Sequence, residues 1–220
     1  MRIAGIDDAG RGPIIGPLVI AGVLMKEEEL PKLTALKVKD SKLLSPKRRE
    51  KLAPEIKKVA IQHHIERLSP DEIDRVVEAK KKLRKLNWFE AQAMAKVIVA
   101  LKPDLVYVDA SDVLPDRFKS QIAECIPFQV SIVSEHKADI KYPIVSAASI
   151  IAKVERDALI SDLKEEFGDF GSGYASDAKT IQFLKDWLKR FEYYPGFVRK
   201  SWKPAKRMML EARVTQKKLV

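Results

Sequence analysis

The sequence predicts an α/β fold with a mixed, partly antiparallel sheet. Short apolar segments with strand character alternate with helical segments along the chain, an order typical of helices packed on a sheet. Two of the apolar segments, residues 2–6 and 18–25, are joined by a short connection that contains Pro13 and Pro17. A short connection favours antiparallel pairing of these two strands.

Capping and turn residues divide the chain into its elements. Ser45 before Pro46 and Ser69 before Pro70 are typical of helix N-termini. Strands are predicted at residues 2–6, 18–25, 59–68, 105–109 and 128–133. Helices are predicted from Pro46, from Pro70, from Asn87 as a cap to Ala100, from Ser146 to Phe167, from Asp177 as a cap to about Phe191, and from Trp202 onward.

The composition is that of a globular protein in a reducing compartment. The chain has 220 residues, of which 46% are hydrophobic, enough to build a core. Cys125 is the only cysteine, which excludes an intrachain disulfide. No apolar run approaches the roughly 20 residues of a membrane span. Asp7 and Asp8 interrupt the stretch where a signal peptide needs apolar residues, so we expect a cytoplasmic protein.

The positive charge is concentrated in the C-terminal part of the chain. The formal net charge is +10, and residues 181–220 contain eleven lysines and arginines against three acids. A local excess of this size favours a polyanionic partner, and we expect that partner to be a nucleic acid.

Acids follow the predicted strands at several places. Asp7 and Asp8 come directly after Ile6, Asp109 ends the strand at 105–109, and Asp139 follows the strand at 128–133. If these strands are neighbours in one sheet, the four carboxylates meet at one edge and repel one another unless they are neutralised. Two divalent cations neutralise such a group, and can activate a water and stabilise the leaving oxygen of a phosphodiester.

The loop after the first pair of acids contains Gly10, Arg11 and Gly12. Glycine lets a backbone approach a ligand closely, and a guanidinium between glycines favours a phosphate or a sugar. A dinucleotide-binding loop is the competing interpretation, but the spacing to Gly16 is one residue too long and a proline and a strand follow instead of a helix.

Other polar residues have a simpler structural interpretation beside a functional one. Asp112 and Asp116 are expected to be turn or cap residues, and His136 is expected to be structural. Lys42 and Lys137 are candidates for phosphate contact, although exposed lysines are usually only solvated. Ser146 begins a helix near the acids, where a helix N-terminus could bind phosphate or simply pack. The three tryptophans and Cys125 are expected to be packing residues.

Two motifs, Asp7-Asp8-Ala9-Gly10-Arg11-Gly12-Pro13 and Gly171-Ser172-Gly173-Tyr174, are the specific part of a resemblance. With them, the chain resembles type 2 ribonuclease H, in its archaeal branch. Residues 7–13 are similar to the family's Asp-Glu-Ala-Gly-Arg-Gly-Pro signature. The similarity continues in order over about residues 1–205, and the first and last of its motifs are the specific ones. The further motifs are Asp40-Ser41-Lys42, Tyr107-Val108-Asp109, His136-Lys137-Ala138-Asp139, residues 146–153 and Gly171-Ser172-Gly173-Tyr174.

The resemblance implies an RNase H-like fold: a five-stranded mixed sheet flanked by helices, with a catalytic domain at residues 1–190 and a basic helical C-terminal extension at 191–220. It implies cleavage of the RNA strand of RNA/DNA hybrids and 5′ of ribonucleotides embedded in duplex DNA, leaving 5′-phosphate and 3′-hydroxyl ends. It also implies two Mg²⁺ or Mn²⁺ ions. The residues that it assigns are Asp7, Asp8, Asp109 and Asp139 to metal, and Gly10, Arg11, Gly12 and Tyr174 to the ribose–deoxyribose junction.

One residue departs from the family pattern. The second acid is normally glutamate, and here it is Asp8, which is one methylene shorter. We therefore expect an active protein that is selective about its metal. A protein that binds hybrids without cutting them, and a junction resolvase with the same fold, are the alternatives.

Two expectations concern assembly. The family often contacts a sliding clamp through a C-terminal motif, of which residues 214–220 keep the glutamine and leucine but lack the aromatic pair. A sliding clamp is therefore a candidate partner. We expect the protein itself to be a monomer.

Overall fold

A five-stranded mixed sheet forms the centre of the protein. The computed structural model describes residues 1–38, 44–79 and 86–217. The strands are β1 (Arg2–Ala9), β2 (Leu18–Lys26), β3 (Gln62–Leu68), β4 (Leu105–Asp109) and β5 (Ser131–Glu135). The helices are α1 (Pro31–Ala35), α2 (Pro46–Val59), α3 (Pro70–Glu78), α4 (Leu86–Leu101), α5 (Pro115–Ala123), α6 (Ala138–Lys141), α7 (Pro143–Phe167), α8 (Ala178–Phe191) and α9 (Lys203–Lys217).

The strand order in the sheet is β3-β2-β1-β4-β5. β1 is antiparallel to β2 and β2 to β3, whereas β1 is parallel to β4 and β4 to β5. The predicted α/β class, the mixed sheet and the antiparallel first pair are therefore confirmed. Because β1, β4 and β5 run in the same direction, their carboxyl ends lie at one edge of the sheet.

Both faces of the sheet are covered by helices. One face packs under α2 and α7, and the other packs under α3, α4 and α5. This explains why β2 is buried along its length up to Met25 and reads as a continuous apolar run. A third apolar cluster joins Ile14 and Ile15, after β1, to α8 and α9. The expected domain boundary at residue 190 stays a prediction.

Several predicted boundaries were wrong by a few residues. α2 continues to Val59, so β3 begins at Gln62, and β5 is displaced to Ser131–Glu135. α7 begins at Pro143, before Ser146. α1, α5 and α6 were not predicted. Ser45, Ser69 and Asp177 cap their helices as predicted, with side chains that accept from backbone N–H groups.

Asn87 is not the cap of α4, because it lies within the helix, whose described residues start at Leu86. The Asp40–Lys42 motif, with its candidate phosphate contact Lys42, and the basic run at residues 80–85 lie outside the described residues. Within the described part of the chain, no helix is long and apolar enough to cross a membrane.

Candidate metal centre and glycine loop

Three aspartates meet at the carboxyl edge of the sheet. Asp7 lies near the end of β1, Asp109 ends β4, and Asp139 lies in α6, just after β5. One carboxylate oxygen from each lies within 4.8 Å of the other two, and among the described residues these three form the candidate metal group. The convergence that the strand ends predict is present, since β4 pairs in parallel with both β1 and β5.

Burial makes this group electrostatically unfavourable without a cation. Asp7 and Asp139 are 4% and 1% exposed. Burial, followed by the neighbouring charges of Asp8 and Asp109, raises the pKa of Asp7 well above its usual value. A hard divalent cation takes carboxylate oxygens as ligands and removes this repulsion. The donor set therefore fits Mg²⁺ or Mn²⁺.

Protein groups orient two of the aspartates. The hydroxyl of Ser149, on α7, donates to Asp7 and is itself within 2.9 Å of the Lys153 ammonium, which donates to it. The backbone N–H of Ala138 donates to Oδ1 of Asp109 at 2.8 Å. Helix α7 can approach β1 closely because Gly5 faces it: a Cβ there would lie 2.4 Å from the backbone of Ile144.

Asp8 is not a member of this group of three, although its charge acts on Asp7. It pairs with Ile20 in the regular β1–β2 ladder, directly after the Asp7–Ala21 pair, so the side chains of Asp7 and Asp8 leave the strand on opposite faces. Oδ1 of Asp8 accepts a hydrogen bond from the Ser111 hydroxyl at 3.2 Å. The assignment of Asp8 to metal stays a prediction.

The Gly10–Gly12 loop follows immediately after β1. Gly10 has φ +91°, and a Cβ at this position would lie 2.7 Å from the carbonyl oxygen of Pro17, so any other residue would be strained here. The Gly171–Tyr174 loop is attached nearby, because the carbonyl of Gly173 accepts from the N–H groups of Ile14 and Ile15. The ring of Tyr174, 43% exposed, lies beside Gly12.

The Arg11 side chain points toward α4. Its guanidinium donates to Glu90 at 2.5 Å and to Asn87 at 2.6 Å. Nδ2 of Asn87 in turn donates to Asp112 at 2.8 Å. Asp112 also accepts from Arg117 and from the N–H of Leu114, so it is the turn residue that was expected. These bonds outweigh its burial and lower the pKa of Asp112 to about 2.

Sequence reasoning missed Glu90 and Arg199. Glu90 is fully buried, and burial together with the charge of Asp8 raises its pKa to about 8, although Arg11 opposes the shift. Arg199 is also fully buried and donates to the carbonyl oxygens of the glycine loop. The signal that could have found Glu90 is that it is the only acid in a mostly apolar helix. No sequence pattern distinguishes Arg199.

The remaining predicted residues lie around this edge. Lys137 is exposed and has left-handed backbone geometry, with φ 58°. The Ser146 hydroxyl is fully buried and donates to the carbonyl of Val38. The ring nitrogen Nε2 of His136 lies 3.2 Å from the Val113 carbonyl. Phosphate contacts by Lys137 and Ser146 stay predictions.

A mixed sheet of this topology, with aspartates gathered at its carboxyl edge, defines an RNase H-like nuclease. The crystal structure of ribonuclease H2 from Pyrococcus horikoshii matches this chain with a TM-score of 0.89 and 40% identity, over 97% of this chain and 99% of that one. The structure of the PCNA:RNase HII complex from Archaeoglobus fulgidus matches with a TM-score of 0.83 and 46% identity, over 94% and 96%.

The sequence comparisons identify the family. The profile of the family described as Ribonuclease HII matches residues 4–205. Ribonuclease HII of Thermococcus kodakarensis is 49% identical over 94% of this chain and 90% of its own length. The chain belongs to the ribonuclease HII family, and its similarity to archaeal members confirms the predicted branch. It is an endoribonuclease of the ribonuclease H type.

Proposed function

We propose that the enzyme hydrolyses the RNA strand of RNA/DNA hybrids and cuts duplex DNA on the 5′ side of embedded ribonucleotides, with two divalent cations, Mg²⁺ or Mn²⁺. The products carry 5′-phosphate and 3′-hydroxyl ends. The observation that carries this proposal is the position of the three aspartates beside the Gly10–Gly12 loop and Tyr174.

Asp7, Asp109 and Asp139 are the residues that would hold the cations, joined by Asp8. When bound, the cations supply charge neutralisation, activation of water and stabilisation of the leaving oxygen. The protein's own part is to hold the carboxylates in place: Ser149 hydrogen-bonds Asp7, and the N–H of Ala138 hydrogen-bonds Asp109.

The glycine loop and Tyr174 supply the selection for ribose. The 2′-hydroxyl is the group that distinguishes RNA from DNA at a given position, and a loop with glycines at both ends can bring its backbone within hydrogen-bonding distance of it. Tyr174 is exposed and lies beside Gly12, which supports a role in which its ring stacks on the following deoxyribose.

The basic C-terminal part supplies sequence-independent affinity. Lys203, Lys206, Arg207 and Arg213 of α9 are exposed, and contacts from such side chains to phosphates position a duplex without reading bases. Lys137 and, outside the described residues, Lys42 are further phosphate contacts in this proposal.

Assembly and location complete the proposal. The A. fulgidus relative was solved in a complex with PCNA, which supports a sliding-clamp contact for the C-terminal end here. The side chains of residues 215–220, which carry the candidate motif, lie outside the described part of the chain. We further propose a monomer in the cytoplasm, in keeping with the single cysteine.

Cleavage of three labelled duplexes tests the proposal: DNA with one ribonucleotide, an RNA/DNA hybrid, and all-DNA, each with Mg²⁺, with Mn²⁺ and with chelator. We expect metal-dependent cutting of the first two, with the break 5′ of the single ribonucleotide and a 5′-phosphate on the downstream product. Equal cutting of all-DNA would contradict ribose selection and favour a resolvase. A bound but uncut duplex in both metals would favour a hybrid-binding protein.

A further inference from the structure

We infer that Arg199 and Trp202 are positioning residues for ribose selection, because they hold the three successive carbonyl groups of Gly10, Arg11 and Gly12. This inference rests on the proposed function, in which the glycine loop reads the 2′-hydroxyl. It adds the segment just before α9 to the residues on which specificity depends.

The contacts cover the whole loop. The Arg199 guanidinium donates through Nη2 to the carbonyl of Gly10 at 2.5 Å and through Nη1 to that of Arg11 at 2.8 Å. Its Nε donates to the carbonyl of Gly16 at 3.0 Å, where the loop leads into β2. Nε1 of Trp202 donates to the carbonyl of Gly12 at 3.3 Å. One arginine therefore connects both ends of the β1–β2 connection.

These bonds fix the direction in which the loop presents its amides. In a trans peptide the C=O and the following N–H point in opposite directions. The carbonyls of Gly10 and Arg11 point inward to Arg199, so the N–H groups of Arg11 and Gly12 point to the other side. That side is the outer one, since Gly12 is exposed and Tyr174 lies next to it. The loop thus presents two N–H donors to an acceptor such as a ribose or phosphate oxygen.

Arginine is suited to this position by its charge and shape. Its planar guanidinium carries five N–H donors in a fixed arrangement, which serves several carbonyls at once. Burial, followed by the charge of Arg156, lowers the pKa of Arg199 to about 10, so the side chain remains cationic at neutral pH. The Trp202 ring lies 5.0 Å from the guanidinium carbon and covers it.

The experiment compares the binding of two duplexes that differ by one 2′-hydroxyl. Both duplexes are titrated with the full-length protein carrying Asp109→Asn, so that no substrate is consumed. Ribose preference is measured as a Kd ratio, the Kd of the all-DNA duplex divided by the Kd of the duplex with the 2′-hydroxyl. The variants added to this background are Arg199→Gln, Arg199→Lys and Trp202→Phe. Arg207→Gln is the matched control, because it removes the same charge from a side chain that is 75% exposed.

We expect Arg199→Gln to lower the Kd ratio about tenfold, the effect of losing hydrogen bonds from a charged group. Arg199→Lys keeps the charge but not the fork, and is expected to restore only part of the ratio. Trp202→Phe keeps the ring but loses one donor, and is expected to lower the ratio about fivefold. Arg207→Gln should weaken both duplexes equally and leave the ratio unchanged.

An unchanged ratio in folded Arg199→Gln and Trp202→Phe would overturn the inference, with the proposed function intact. Circular dichroism reports whether each variant is folded, and if Arg199→Gln is not, Trp202→Phe decides the question alone. A Kd ratio of one in the parent Asp109→Asn protein, without further changes, would instead overturn ribose selection itself, and this inference with it.

Discussion

Asp8 is the residue at which the chain departs from the family pattern, and Asp8→Glu is the change that tests it. The three aspartates of the metal group lie within 4.8 Å of one another, whereas Asp8 leaves β1 on the opposite face and hydrogen-bonds Ser111. A glutamate at this position carries its carboxylate one carbon–carbon bond further, about 1.5 Å. We expect this extra reach to bring the carboxylate closer to the three aspartates.

The expected gain follows from this distance. A misplacement of about 1 Å in a catalytic group can cost on the order of 100-fold in rate, or about 2.7 kcal/mol of activation free energy. We expect Asp8→Glu to raise the single-turnover rate in Mg²⁺, by up to about 100-fold. The gain should be smaller in Mn²⁺, in keeping with the expectation that the aspartate site is selective about its metal.

Single-turnover cleavage of the one-ribonucleotide duplex, in each metal, measures this effect. Asp8→Asn is the matched control, because it keeps the length of aspartate and removes its charge, and it should lower the rate in both metals. A large loss of rate in Asp8→Glu would refute the reasoning, since it would mean that the backbone of this site is built around the shorter acid.

Two further changes test the packing and the electrostatics around the site. Gly5→Ala places a Cβ 2.4 Å from the backbone of Ile144, which cannot move aside; we expect a loss of about 3 kcal/mol and a Tm lower by roughly 10 °C in thermal unfolding. Gly196→Ala is the control, with its nearest contact at 3.6 Å, and an equal loss there would contradict the account. Glu90→Gln tests the raised pKa: between the usual value of 4.5 and about 8 the folded state binds more protons than the unfolded state, so wild-type stability falls as pH rises through this window. Urea titrations at pH 5 and pH 8 measure the free energy of unfolding. Between these two pH values the decrease should be smaller in Glu90→Gln than in wild type, whereas Gln92→Ala, an exposed change on the same helix, should show the wild-type decrease.

The convergence of three of the four predicted acids could be inferred from the sequence, because these acids lie at or near the ends of predicted strands. Asp7 lies near the end of β1 and Asp109 ends β4, and the parallel pairing of β1 and β4 brings them together. Asp139 was harder, because it lies in α6 and not in a strand, yet its distance from β5 is only a few residues. Local patterns place the acids at strand ends, whereas their meeting depends on the adjacency of β1, β4 and β5 in the sheet.

The surroundings of the glycine loop could not be predicted in the same way. The contact of the Arg11 guanidinium with Glu90, 79 residues away, was not predicted, and the expected contact of Arg11 with a phosphate or a sugar stays a prediction. Arg199 reaches the loop from 188 residues away. No local pattern encodes a pair at such a separation, because it is formed only when α4 and the third apolar cluster pack against the sheet.

Some predicted boundaries of helices and strands were wrong because the local sequence pattern fits more than one structure. The imperfect alternation of residues 59–68 predicted one strand, but the last residue of α2 occupies its first position and β3 starts three residues later. Asn87 looks like a cap because asparagine favours that position. In the structure its side chain is taken by Arg11 and Asp112, so tertiary contacts override the local preference.

The most direct test of the central account is Mn²⁺ binding to the wild-type protein and to Asp109→Asn, measured by calorimetry alongside hybrid cleavage on the same samples. The account predicts that the wild-type protein binds the ion and cuts. Asp109→Asn should bind Mn²⁺ at least tenfold more weakly, since even the loss of a residue that only supports a ligand costs about 10–100-fold, and it should not cut. Unchanged Mn²⁺ affinity and retained cleavage in Asp109→Asn would show that the three aspartates are not the catalytic metal centre.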